Sequence, residues 1–128
     1  MRAARAIDRK RSRGTAMLEF ALVLPALLLL ILGLMDVSRL IWTQTTLDRA
    51  VEAAARCAVV DTNNCGTAAS TQTYAAGQAF GLTIDSSAFI VTTPACGTQV
   101  AATMPFTLII PWLATSSITL GANACYPT

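Results

Sequence analysis

The sequence predicts an α+β protein: a long N-terminal membrane-spanning helix that continues as an amphipathic helix packed on a small antiparallel β-sheet. Three observations carry this. An apolar run without a charge fills residues 20–35 of the 128-residue chain. It passes into a pattern of three- and four-residue apolar steps, with no glycine or proline over 34–60. From residue 89 the pattern changes to short runs rich in threonine and β-branched residues, punctuated by proline.

Residues 1–14 form a basic leader on the cytoplasmic side. Arg2, Arg5, Arg9, Lys10, Arg11 and Arg13 are six of the nine basic residues, and all precede Gly14. The net charge of +2 therefore hides a segregated distribution: residues 61–128 hold no Lys or Arg and two acids, Asp61 and Asp85. A basic run abutting an apolar run is a topology signal, so no nucleic-acid partner is expected.

Residues 15–36 form the transmembrane helix. The apolar run extends back to Ala16, interrupted only by Glu19, and Asp36 closes its other end. About 20 apolar residues span a bilayer core as a helix. The positive-inside rule keeps the N-terminus cytoplasmic and sends residues 37–128 across. A cleaved secretory signal wants an apolar core of about 7–15 residues and then a small-x-small site. Here the core ends in GLMDVSR (33–39), which lacks that site. A lipid-attached cysteine is excluded too, because Arg56 stands before Cys57 where a small residue is needed. The segment is therefore expected to remain as a single-pass anchor. Pro25 removes one backbone donor within it, which membrane helices tolerate. Glu19 is the anomaly, since an unpaired carboxylate in lipid is expensive.

Residues 37–60 continue the helix. Val37, Leu40, Ile41, Gln44, Leu47, Val51, Ala54 and Ala58 recur at helical spacing and define one apolar face. Arg49, Glu52 and Arg56 pair favourably on the wet face. One helix from about 16 to 60 would be roughly 65 Å long at about 1.5 Å per residue. Asp61-Thr-Asn-Asn then stops it. Residues 61–128 make a small extracytoplasmic α/β domain. STQTYAAGQAFGL (70–82) reads as a short helix ending near Gly81. FIVTT (89–93), 99–110 and 117–124 read as strands, broken at Pro105, Pro111 and a turn at Thr115. Three or four antiparallel strands are expected, with Pro105 and Pro111 at edges or bends. The apolar face of the helix is their natural cover.

Cys57, Cys65, Cys96 and Cys125 all lie beyond the apolar segment, in a compartment that permits disulfides. A soluble part this small has a thin core and gains from staples. Three pairings are possible. Cys57–Cys65 with Cys96–Cys125 is favoured, because the first closes a tight loop at the helix end and the second ties the last strand to the sheet. A metal is not expected: the spacings of 8, 31 and 29 are wrong for zinc, and the chain has no histidine.

No catalytic residues emerge. The commonest general base is absent, and there is no phosphate loop or nucleophile elbow, so neither an enzyme nor a cofactor nor a small-molecule substrate is expected. Asp48 and Glu52 sit four apart, but neighbouring Arg49 and Arg56 make them a solvated face. FTLIIPWL (106–113) reads as core strand plus loop, with a partner patch as the other reading.

A basic leader ends in Gly14, TAMLEF (15–20) follows with Glu19 five residues after that glycine, and then come ALVLPALLLLILG (21–33) and DRAVEAAARCAVV (48–60). This resembles type IV pilins and pseudopilins, and most closely the TadE-like family of the tight adherence (Tad/Flp) pilus system. PFTLIIPWL (105–113) and SITLGANA (117–124) also look like that family's tail, so the resemblance covers roughly 10–124. It implies a type IV pilin-like fold and an inner-membrane pseudopilin or minor pilin needed for pilus assembly. Its partners would be a prepilin peptidase, other pilins or pseudopilins, the assembly platform and the membrane. By position, Gly14 would precede the scissile bond and Thr15 would be the new N-terminus. Glu19, with Phe20 beside it, would serve cleavage recognition or subunit packing, its carboxylate facing the free amine of a neighbour. Residues 15–128 hold three Arg against six acids, so the mature side chains sum to −3. Thr15 departs from the aromatic first residue common among type IV pilins.

Two other readings stand beside this one. One is an uncleaved, single-pass, membrane-anchored extracytoplasmic binding module. The other is a type II secretion pseudopilin, a cousin separated only by the family-like segments.

Overall fold

The structure, a computed structural model, describes residues 2–109 and 117–128, with side chains from Thr15 onward. The elements are α1 (Arg2–Val60), α2 (Thr62–Cys65), α3 (Ala68–Gln78), a 3-10 turn (Ser86–Ala88), β1 (Phe89–Thr92), β2 (Thr98–Phe106) and β3 (Ile118–Tyr126). The chain divides into two compact units, residues 1–36 and 37–128. The fold is α+β, as expected: a long apolar N-terminal helix and then a small antiparallel sheet of three strands.

In the first unit the backbone is helical from Arg2, not from about residue 16. The leader is rich in Ala, Arg and Lys, strong helix formers, and holds no proline, so the helix runs through it into the apolar run despite Gly14. From Thr15 to Met35 almost every side chain is exposed, leucines included. The helix carries a stretch long and apolar enough to cross a membrane. Pro25 lies inside it and cannot donate to the carbonyl one turn earlier.

The second unit holds the core. Leu47, Ala50, Val51 and Ala54 of α1 pack with Ala75 and Ala79 of α3, Phe89 of β1, Val100, Ala102 and Phe106 of β2, and Leu120 and Ala122 of β3. The expected apolar face is shifted. Thr43 and Ala50 are buried, whereas Val37 and Ile41 are exposed. At about 100° per residue, the stripe through Leu40, Leu47 and Ala54 leaves Ile41 roughly a third of a turn away.

The sheet order is β1-β2-β3, both pairs antiparallel. Along β2, buried Thr98, Val100, Ala102 and Phe106 alternate with more exposed residues, so one face meets the helices. Pro105 pairs with Thr119 of β3. Pairing with β1 ends at Phe89↔Ala102, so the residue without an N–H lies past the end of that neighbour. Gly97 takes a left-handed φ of +125°, and a Cβ there would strike the Tyr126 carbonyl oxygen. Pro111, the turn at Thr115, and residues 110–113 of the apolar run lie outside the described residues.

Two helical details differ from expectation. The stretch after Val60 is not a bare turn but the one-turn helix α2, capped by Asp61, which accepts from the backbone of Asn63 and Asn64. α3 starts earlier, at Ala68, because Thr67 and Ser70 form a reciprocal capping box. It ends at Gln78, and the chain turns at Gly81 with φ +78°.

Candidate processing and assembly segment

Residues Gly14 to Phe20 are where the sequence concentrates its signals. All are helical in α1. Thr15, Glu19 and Phe20 present exposed side chains. Thr15 and Glu19 are one turn apart, so they share a helix face, separated by about 6 Å of rise. Thr15 is an engaged residue within the helix. The Gly14–Thr15 bond lies in regular helical backbone beside a weak helix former: α1 holds only two glycines, Gly14 and Gly33. Glycine in a helix is about 1 kcal/mol worse than alanine.

The remaining functional expectations fall in the second unit. Cys57 bonds Cys65 with 5.7 Å between Cα atoms, and Cys96 bonds Cys125 with 6.4 Å. The first bond closes the end of α1 onto α2, where Asp61 N–H donates to the Cys57 carbonyl and Cys65 N–H to the Asp61 carbonyl. The second fixes the turn before β2 to the end of β3. Buried Thr71 donates its hydroxyl to the Cys65 carbonyl, and Gln72 Nε2 donates to the Phe89 carbonyl at 2.7 Å. These bonds join the disulfide loop to α3, and α3 to the sheet.

Two carboxylates are held below their ordinary range. For Asp61 the main cause is the hydrogen bond from the Asn64 side chain, with backbone donors adding to it. For Asp85 it is the hydrogen bond from the Ser87 side chain, then the Ser87 backbone. Both are turn anchors. Asp48 and Glu52 are exposed on α1, with Asp48 accepting from Gln44 Nε2 at 3.1 Å. Gln44 also donates to the Gly121 carbonyl of β3 at 3.0 Å, tying α1 to that strand. Among the described residues, no group of three or more His, Cys, Asp or Glu stands placed to hold a metal.

One groove of about 530 Å³ is lined by Arg39, Trp42, Gly81, Leu82, Met104 and Phe106, among others. The Arg39 guanidinium lies 5.4 Å from the centre of the Phe106 ring. Sequence periodicity missed this end of the unit because it placed Val37 and Ile41 in the core. The unexplained aromatic Trp42 was the available signal.

Residues 14–56 match the family model described as TadE-like protein. The match begins at Gly14 and stops before the first cysteine, so the likeness of the tail at 105–124 lies outside it. No curated protein matches the chain, and no solved structure does. The family match couples Gly14, Glu19, the apolar helix and its amphipathic continuation in one segment: residues 14–56, about a third of the chain, are similar to the TadE-like family.

Proposed function

We propose that the chain is a pseudopilin or minor pilin-like subunit required to assemble a Tad/Flp-type adherence pilus, cut by a prepilin peptidase after Gly14. The observation that carries this is the start of the TadE-like match at Gly14, five residues before Glu19, on a stretch of helix whose apolar side chains up to Met35 have almost no protein cover. The protein is not an enzyme in this reading. It sits in the inner membrane as a single-pass chain with its N-terminus cytoplasmic and residues 37–128 outside. Its partners are the peptidase, other pilins and the assembly platform.

The chemistry follows from what cutting does to α1. Removing residues 1–14 takes away six basic residues that hold the N-terminus in the cytoplasm. It also creates a helix start at Thr15, with an α-amine and unpaired N–H groups. Glu19, one turn in, supplies negative charge to that positive end, in its own subunit or the next. The charge is then compensated rather than stranded in lipid. Cleavage needs the Gly14–Thr15 bond to leave the helix, and glycine lowers the cost of that local unwinding.

Intact mass of the protein from cells with and without the peptidase tests this. The expected product begins at Thr15; an unshortened chain in peptidase-positive cells overturns the cleavage assignment. The rival, an uncleaved membrane-anchored binding module, draws support from the helical backbone at Gly14–Thr15. It requires Gly14→Ala to leave both chain length and pilus yield unchanged. A type II secretion pseudopilin would rescue loss of a secretion pseudopilin rather than loss of a Tad component.

A further inference from the structure

Several apolar side chains of the second unit are turned outward at one end of it. Trp42 is 65 % exposed and Phe80 70 %. A Cβ on Gly81 would lie 3.9 Å from Trp42 Nε1, so the turn that carries Phe80 passes beside the indole. Ile41 lines a second hollow together with Trp42, Ser38 and Arg49, and Val37 is one turn before it. The groove described above borders the same tryptophan. Nothing in the core explains these exposures, because the buried stripe of α1 runs through Thr43, Leu47 and Ala50.

We propose that this patch, centred on Ile41, Trp42 and Phe80, seats in the interfacial layer of the bilayer. Three features select lipid over a protein partner. Trp42 follows Met35, the end of the apolar run, by only seven residues, fewer than two helical turns. Tryptophan and phenylalanine beside isoleucine suit the headgroup boundary, where an amphipathic indole keeps its N–H wet. The charge also fits. Asp36, the nearest acid, is buried, which leaves Arg39 as the charged residue lining the patch's groove. The exposed acids Asp48 and Glu52 come later on α1. The inference goes beyond the pilus reading and rests on residues 15–36 spanning the membrane.

The full chain carrying Trp112→Phe, which leaves Trp42 as its only tryptophan, is reconstituted into phosphatidylcholine–phosphatidylglycerol vesicles. Resistance to carbonate extraction reads insertion separately. The expected result is an inserted chain with blue-shifted Trp42 emission, quenched by lipids brominated near the headgroup and spared by aqueous acrylamide. Adding Ile41→Ser and Phe80→Ser should shift the emission to the red without releasing the chain. Emission that acrylamide quenches and brominated lipid does not, in an inserted chain, overturns the interfacial seat and leaves the membrane span intact. Blue-shifted emission that brominated lipid does not quench, accompanied by cross-linking between chains, assigns the patch to a second copy instead. A chain that carbonate extracts overturns the membrane span and this inference together.

Discussion

Glu19 and Asp61 are carboxylates in opposite settings, one within the apolar stretch of α1 and one capping the turn that follows it. Asp61 is a turn anchor held below the ordinary range of about 3.8 by Asn64 and backbone donors. A depressed folded pKa adds stability above the unfolded value, and that stability is lost as pH falls through the folded pKa. Acid titration of the second unit should therefore show a loss below about 3.8 that Asp61→Asn flattens, read by circular dichroism. Asp85 shares the sign and acts in the same window. Glu19 is exposed on the apolar stretch of α1, and the proposed function gives its carboxylate an amine to pair with. Glu19→Ala is expected to reduce pilus yield and leave membrane insertion unchanged; equal yield would remove its pairing role. The Glu19 anomaly was legible in the sequence because a charge interrupts an apolar run. Asp61's cap was half legible: Asp-Thr-Asn-Asn signals a stop, but only backbone geometry turns that stop into a helical turn.

At the element scale the sheet and α3 depend on a few side chains. Phe89 is fully buried where β1 meets the helices. Phe89→Ala should destabilise the unit by about 3–5 kcal/mol, measured by urea unfolding of the chain in detergent. Thr67→Ala breaks the capping box of α3 and should cost about 1 kcal/mol in the same assay. The strands were readable because β-branched and threonine-rich runs alternate against a buried face. Their ends were less so. β2 stops at Phe106 and not 110, because pairing with β3 stops there. The core face of α1 was misread at Val37 and Ile41, since periodicity sees apolar spacing but not which turns another element covers. α3 was placed too late because the Thr67–Ser70 cap carries no apolar signal.

At the scale of the whole molecule, two disulfides constrain the second unit over loops of different size. Their sequence separations are 8 and 29 residues. In the chain-entropy picture the longer loop stabilises by about 1 kcal/mol more than the shorter, each lying in a range of about 2–4 kcal/mol. Cys96→Ser/Cys125→Ser should thus lower the unfolding midpoint more than Cys57→Ser/Cys65→Ser. Both pairings were readable, since one bond closes a helix end and the other a strand end. The family resemblance was clearest where composition is most constrained, over 14–56, and weakest in the sheet, where many side chains satisfy the same alternation.

Every lysine and arginine of the chain lies on α1, none beyond Arg56, while all four disulfide-bonded cysteines come after Arg56. Trypsin can therefore cut only within that helix. The whole disulfide-bearing part, residues 57–128, leaves as a single peptide whose mass before and after reduction reports both bonds at once. Lys10 is the sole lysine. In the proposed processed chain an amine-reactive label has one target, the new α-amine at Thr15, whereas the uncut chain offers Lys10 and its own α-amine, so the labelled position separates the two.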